Sequence, residues 1–295
     1  MSERNESIEL SKPTFDELNE TIQALREWQH DGEVVQLHPG DLGWYGRLGP
    51  EDTVDAIRRW SKGGKIVAIG LLDGPDLLRL AIDPKAENDD ELALQMASDI
   101  TQSERGVLPK GSAYVETRSG ELLREKLIDQ GWNLSDAWTS LKRDLTEPVE
   151  DSGLRVETVS PDQVHVRTAV QRAAFDNSTF TEEKWHAMAA GLPYTDARCL
   201  IAYDEHDNPV AVATVWSAGR GKPGLIEPLG VDPDHRGKGY GTAVTLAAAA
   251  ALREMGSSSA TVCTDSSNIR AVATYKSAGF EELPEIQDLQ RSKSD

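Results

Sequence analysis

Arg236, Gly237, Lys238, Gly239, Tyr240 and Gly241 stand between an apolar run at 225–231 and an alanine-rich run at 243–252. The first run reads as a buried strand and the second as a helix closed by Gly256. Strand, glycine loop and helix in that order make an anion-binding arrangement. The first N–H groups of a helix have no intrahelical partner and lie at the positive end of its dipole. Glycines at alternate positions let that backbone approach a bulky phosphate without Cβ contacts, and Arg236 and Lys238 add positive charge. A pyrophosphate is the group expected there.

Spacing narrows the choice. A Walker loop needs Ser or Thr after its lysine, and Lys238 is followed by Gly239. A dinucleotide fingerprint counted from Gly237 and Gly239 needs a third glycine where Thr242 stands, and it lacks the acidic residue further on. The run does fit Arg/Gln-x-x-Gly-x-Gly/Ala, and here the chain resembles the GCN5-related N-acetyltransferases, whose motif of that form cradles the pyrophosphate of acetyl-CoA. A strand at 260–264 followed by Asn268-x-x-Ala271-x-x-x-Tyr275-x-x-x-Gly279-Phe280 resembles the second motif of the same family, in the right order and at the right distance.

The resemblance implies a fold of class α/β (α+β): two tandem domains, each a mixed, mostly antiparallel sheet flanked by helices with a splayed central strand pair. It implies a site as well. The backbone of Leu229, Gly230 and Val231 would pair with pantetheine and supply an oxyanion donor. Arg236, Gly237, Lys238, Gly239, Tyr240, Gly241 and Thr242 would hold the pyrophosphate, and Asn268 would cap its helix or touch the CoA arm. Tyr275 holds the family's general-acid position, where a phenol with a pKa near 10 stays protonated at neutral pH. Glu227, two residues before Leu229 in an otherwise apolar run, is the candidate base, because burial raises a carboxyl pKa toward the useful range. Asp176 and His186 are weaker candidates, and His235 reads as a loop residue near the phosphates. Pro228 lacks an N–H, which suits a bulge or splay.

The elements that must position these groups can be read along the chain. The opening residues to about 11 are polar and read as frayed. Thr14 to Glu17 form a capping-box signature ahead of a helix carrying Leu18, Ile22, Leu25 and Trp28. A short strand at 34–37, a turn at 38–41 and a helix at 50–60 follow. Strands are expected at 65–72, 77–82, 113–117 and 132–145, and helices at 89–101 and 120–130. A proline- and glycine-containing acidic run at 146–153 reads as a linker, which divides the chain into 1–147, with an extra N-terminal helix, and 148–295. Beyond it come a strand at 154–159, a helix opened by the capping box of Ser160, a helix at 181–190 and a hairpin of 199–203 with 210–217.

The second half repeats the first. Leu80-Ala-Ile-Asp-Pro84 echoes Leu229-Gly-Val-Asp-Pro233, Ala113-Tyr-Val-Glu-Thr117 echoes Ala260-Thr-Val-Cys-Thr264, and Gly131-Trp132 echoes Gly279-Phe280, each displaced by about 148 residues. The copies differ at the phosphate loop. After Pro84 the first copy has Lys-Ala-Glu-Asn-Asp-Asp, without glycines and with carboxylates that would repel a pyrophosphate. Its second motif lacks the tyrosine. The first half therefore reads as a degenerate copy that does not bind CoA and that either shapes the acceptor site or packs against its sister.

Composition sets the remaining bounds. The 295 residues, 38% hydrophobic and 27% charged, suffice for two ordinary cores. A net charge of −19 argues against nucleic acid and anionic membranes as partners; it reads first as a solvated surface, and is also compatible with a salty habitat or a cationic amine acceptor. No apolar run of spanning length or leader pattern stands out, so a cytoplasmic protein is expected, as monomer or homodimer. Cys199 and Cys263 are too few for a disulfide framework or a metal site, and both read as inert buried thiols. The expected cosubstrate is acetyl-CoA, with no metal, and the expected acceptor is a small-molecule amine of mycothiol-precursor or aminoglycoside type. A protein or peptide N-acetyltransferase and a non-catalytic CoA-binding regulator or scaffold are the alternatives.

Overall fold

The first half contains a near-continuous apolar run, Ile66 to Leu71, of the kind that forms a strand covered on both faces. In the computed structural model, which describes residues 7–32 and 35–292, that run lies within β3 of a sheet crossing the whole molecule. The first half runs β1 (Ile8–Ser11), α1 (Leu18–Trp28), α2 (Pro39–Tyr45), α3 (Pro50–Ala56), β2 (Ile57–Lys62), β3 (Lys65–Leu72), β4 (Leu77–Ile82), α4 (Asp90–Thr101), β5 (Ala113–Glu116), α5 (Glu121–Asp129) and β6 (Asn133–Asp144). The second runs β7 (Arg155–Thr158), α6 (Val164–Ala174), α7 (Glu182–Ala189), β8 (Ala197–Tyr203), β9 (Pro209–Ser217), β10 (Gly224–Val231), α8 (Tyr240–Glu254), β11 (Ser259–Asp265), α9 (Ile269–Ser277), β12 (Glu281–Glu282) and β13 (Ile286–Arg291). The repeat seen in the sequence is thus a repeat of elements, with α1 standing where α6 stands in the second half.

The strand order is β1-β2-β3-β4-β5-β13-β6-β11-β10-β9-β8-β7, with β12 also on β6. Each half contains an antiparallel meander and one parallel pair, β4 with β5 and β10 with β11. Both parallel pairs are short. The β10–β11 ladder covers only Gly224↔Ala260 and Leu225↔Thr261, after which the strands diverge. This is the splayed pair expected from the resemblance, in a mixed, mostly antiparallel sheet flanked by helices. At the seam, β13 lies between β5 and β6, and β6 continues onto β11. Leu289 of β13 accordingly packs in the core of the first half, and Leu141 and Leu145 pack in that of the second.

The structure departs from the sequence expectations in several places. Residues 8–11 are not frayed: Ile8 and Leu10 alternate, and β1 pairs with β2 at the sheet edge. Of the strand expected at 34–37, Val34 lies outside the described residues and 35–37 form no strand. The turn at 38–41 is the start of α2, with His38 as N-cap and Asp41 completing its capping box. The helix at 50–60 ends at Ala56, and β2 takes over because Ile57, Arg58, Arg59 and Trp60 are all buried. Arg58 is satisfied there by the carbonyls of Gly106, Asp55 and Ile57. The strand β13 had no counterpart in the sequence reading.

Candidate active site

Glu227 sits where β10 bends. The ladder with β9 shifts register between Ile226 and Leu229, and the Glu227–Pro228 peptide is cis. The Glu227 carbonyl accepts a hydrogen bond from Trp216 Nε1 at 2.7 Å, which pins the bulge to β9. Beyond it, Leu229, Gly230 and Val231 pair with Ala213, Val212 and Ala211 of β9, while β11 has already diverged on the other side. Their outer backbone edge is therefore left without a strand partner. Gly230 is required by packing: a Cβ there would lie 2.6 Å from Ala174 Cβ and 2.8 Å from the Phe175 ring at the end of α6.

The glycine loop has the form anticipated. Gly237 (φ 78°) and Gly239 (φ 84°) both adopt the left-handed conformation that side chains disfavour, and nothing lies within 4 Å of a Cβ built on either. Lys238 is exposed beside them, and Gly239 is the N-cap of α8, so Tyr240, Gly241 and Thr242 open the helix with free amide donors. Gly241 packs against Thr274 of α9, where a Cβ would meet Cγ2 at 3.1 Å. Arg236 is partly used by the fold, donating to the Ala174 carbonyl at 2.8 Å and the Val231 carbonyl at 3.2 Å. Residues Gly237 and Gly239 thus offer room and Arg236 offers rigidity. The equivalent position of the first half is closed, because Asp89 caps α4 with its own carboxylate, which accepts from Leu92 N and pairs with Lys62 at 2.7 Å.

Asn268 caps α9, its Oδ1 accepting from Ala271 N at 3.2 Å, and it also faces the cleft. Tyr275, one face of α9 further on, is 7% exposed and has its phenol pKa pushed up to about 12 by burial, with Cys263 and Glu227 adding to the effect. Glu227 and Tyr275 line one cleft of about 920 Å³ at the divergence of β10 and β11. Asp176 and His186 do not line it; His186 lies edge-on against Trp185. Cys199 is buried as expected, but Cys263 is only half-buried and lines the cleft, its thiol pKa raised by burial.

The other wall comes from the first half. Arg79 of β4 reaches Glu116 Oε2 at 2.7 Å, Asp41 Oδ1 at 2.9 Å, Asp73 Oδ2 at 3.5 Å and Glu227 Oε1 at 4.0 Å. Arg118 pairs with the second oxygen of Glu116 at 2.6 Å. Removal from water, then the Asp41 carboxylate, push the Glu227 pKa up to about 8 against the pull of Arg79. Asp41 reaches this place because α2 presents Gly40 and Gly43 to Trp216, where added Cβ atoms would lie 2.5 Å and 2.3 Å from its side chain. None of Arg79, Asp41, Glu116 and Arg118 was singled out in the sequence. The available signal was a charged residue inside each of two apolar strands, Leu-Leu-Arg79-Leu and Tyr-Val-Glu116. Carboxyl groups outnumber cations along the cleft, with Asp73, Asp76 and Asp136 nearer its rim. Among the described residues no group of His, Cys, Asp and Glu is arranged to hold a metal ion, and no helix is long and apolar enough to cross a membrane.

Residues 167–280 match the model of the acetyltransferase (GNAT) family. The mycothiol acetyltransferase of Propionibacterium freudenreichii subsp. shermanii is 33% identical over 134 residues, 43% of each chain. That of Rhodococcus jostii is 27% identical over 228 residues, covering 71% of this chain and 72% of the relative. The matches to the first curated relatives thus span about half of their length or less, at 43%, 55% and 20%. Among solved structures, a tandem GNAT protein from the clavulanic acid biosynthesis pathway superposes with a TM-score of 0.62 at 16% identity, covering 98% of this chain and 100% of that one. A GCN5-related N-acetyltransferase from Sphaerobacter thermophilus gives 0.57 at 17%, covering 96% and 95%. At such identities the likeness concerns the fold alone. Residues 167–280 thus belong to the GNAT superfamily as its acetyltransferase domain, and the whole chain shares the fold of a tandem GNAT protein.

Proposed function

We propose that this protein is an acetyl-CoA-dependent N-acetyltransferase acting on the primary amine of a small molecule, with its chemistry in residues 148–295 and its acceptor held against 1–147. The observation that carries this reading is that Glu227 and Tyr275 line one cleft at the divergence of β10 and β11, Glu227 with its pKa raised toward neutrality and Tyr275 kept protonated. Glu227, as carboxylate, takes the proton of the incoming ammonium and frees the nitrogen lone pair. A main-chain N–H of the segment Leu229, Gly230 and Val231 donates to the oxygen that becomes negative as nitrogen attacks the thioester carbon. Tyr275, still protonated, donates to the sulfur as the carbon–sulfur bond breaks, and the second nitrogen proton restores the phenol as the amide forms. Acetyl-CoA brings the activated acyl group. The amide donors of Gly237, Lys238, Gly239, Tyr240, Gly241 and Thr242, with the Lys238 ammonium, fit its pyrophosphate, Arg236 bracing the loop and Asn268 the facing helix.

The resemblance to mycothiol acetyltransferases supports an acceptor of mycothiol-precursor type, and the excess of carboxyl groups in the cleft supports a cationic one, including an aminoglycoside-like amine. A cytoplasmic place of action follows from the cosubstrate. The test is calorimetric titration with acetyl-CoA followed by thiol release over a panel of amines. One site per chain with turnover is the expected result. Two sites would overturn the assignment of the first half as a non-binding copy, and binding without turnover on any amine would overturn the catalytic reading in favour of a CoA-binding regulator.

A further inference from the structure

The carboxyl groups of the cleft fall into two sets. Glu116 and Asp41 are engaged by Arg79, and Glu116 by Arg118 as well, all within 2.9 Å. The third guanidinium nearby, Arg124, is committed to the Gln287 carbonyl at 2.6 Å and to Thr117 Oγ1 at 3.3 Å. Asp76, Asp136 and Asp265 line the cleft in more open positions and pair with no Lys or Arg among the described residues; two further carboxyls are also left without a cation at bonding distance. One is Glu227, for which Arg79 stands off at 4.0 Å. The other is Asp288, which lines the same cleft from β13. Its position is fixed by an irregularity in the β13–β6 ladder between Gln287 and Leu289. Asp288 is 8% exposed, and its enclosed Oδ1 has no hydrogen-bond partner among the described residues.

A buried carboxyl left unpaired costs roughly 1–3 kcal/mol or more, so it persists where something else completes it. The group that completes a carboxylate best is a donor carrying positive charge. Resting on the acetyltransferase reading above, we infer that Asp288 is a second anchor for the acceptor, binding an ammonium group distant from the one that is acetylated, so that the preferred acceptors carry at least two amines. One ammonium meets Glu227 at the thioester and the other meets Asp288. The charges around Asp288 agree with this: burial first, then Glu116, push its pKa up to about 7, while Arg118, Arg79 and Arg124 pull it down. A bound ammonium would return it to the carboxylate and release a proton.

The test uses the full chain saturated with CoA and two matched series, α,ω-diaminoalkanes and the amino-alcohols of equal length. Calorimetry gives affinity and the buffer dependence of the heat gives proton release, while thiol release with acetyl-CoA gives turnover. The diamine of best length is expected to bind about tenfold or more tighter than its amino-alcohol, with proton release near pH 7. In Asp288→Asn the preference should collapse toward unity and the proton release attributable to this group should vanish, with CoA affinity retained as the check on folding. Asp288→Glu, which keeps the charge, should restore part of the preference. Equal affinity of the two series in the wild type, or an undiminished preference in Asp288→Asn, overturns the anchor. Absence of turnover with a diamine preference that depends on Asp288 would instead overturn the catalytic reading and leave the anchor standing.

Discussion

Tyr275 and Glu227 show how position changes what an ordinary side chain can do. Burial holds the Tyr275 phenol protonated at any physiological pH, its pKa near 12, and the part we propose for it is donation to a departing sulfur. Tyr275→Phe should lower kcat by a factor on the order of 10² while leaving the acetyl-CoA affinity measured by calorimetry unchanged; full turnover in this variant would remove Tyr275 from the mechanism. In the role of base proposed for it, Glu227, with its pKa raised to about 8, works only when ionised, so kcat/KM should be lost as pH falls through that value. The Asp41 carboxylate raises this pKa, whereas Arg79 lowers it. In Asp41→Asn the inflection should therefore move to lower pH, and on the same amine the variant should retain a larger fraction of its plateau rate at pH 7 than the wild type does. An inflection that stays in place would show that another group sets the profile. Glu227 and Tyr275 were legible in the sequence because a motif and an apolar run frame them. Asp41, Glu116 and Asp288 were not, since each is a lone carboxylate whose meaning depends on residues that the fold brings from elsewhere.

Two glycine-bearing helix starts serve opposite ends, and only one announced itself. Between β10 and α8, Gly237 and Gly239 take positive φ with open space around them, which suits the pyrophosphate site proposed there. Gly239→Glu should abolish acetyl-CoA binding in a calorimetric titration, since it adds backbone strain of about 1–2 kcal/mol and sets a carboxylate at the anion site; normal affinity would refute the loop assignment. In α2, Gly40 and Gly43 instead face Trp216, and the sequence His-Pro-Gly-Asp reads as a turn because glycine and proline are poor helix interiors. The helix exists because its glycine face lets the backbone settle on that indole, whose Nε1 in turn holds the Glu227 carbonyl. Gly43→Ala should therefore cost about 1–3 kcal/mol of stability through overpacking and raise the acceptor KM, with acetyl-CoA affinity little changed. A Tm and KM both equal to wild type would show that α2 can shift without consequence. The long apolar strands β3, β4 and β9 needed no such context, and their bounds were readable from hydrophobic runs and the turns between them.

At the scale of the whole molecule, the repeat seen in three short echoes became two similar sets of elements, yet the seam between them was invisible in the sequence. β13 reads Ile-Gln-Asp-Leu-Gln-Arg, and only Asp288 and Leu289 in it are buried, so no alternation of apolar and polar residues marks it as a strand. It nevertheless closes the first half by pairing with β5 and β6, and β6 closes the second by pairing with β11 along Ser259 to Asp265. Further ties cross the seam: Arg26 with Asp196, His38 Nε2 with the Pro223 carbonyl at 3.2 Å, and Ser259 Oγ with Asp31 at 2.6 Å. Each half therefore completes the sheet of the other. A chain ending at Pro284 loses Leu289 from the core of the first half, a deletion that for one buried leucine alone costs about 2–5 kcal/mol, and it leaves the facing edges of β5 and β6 unpaired. Such a chain should unfold at markedly lower urea concentration than the full protein, with the loss appearing in a transition that includes the first half. Residues 148–295 expressed alone lack β6 and expose the β11 edge, so they should be poorly soluble and inactive, whereas co-expression with 1–147 should recover an active, co-purifying pair. An active, monomeric 148–295 would show instead that the catalytic half stands by itself and that the exchanged strands merely join two independent domains.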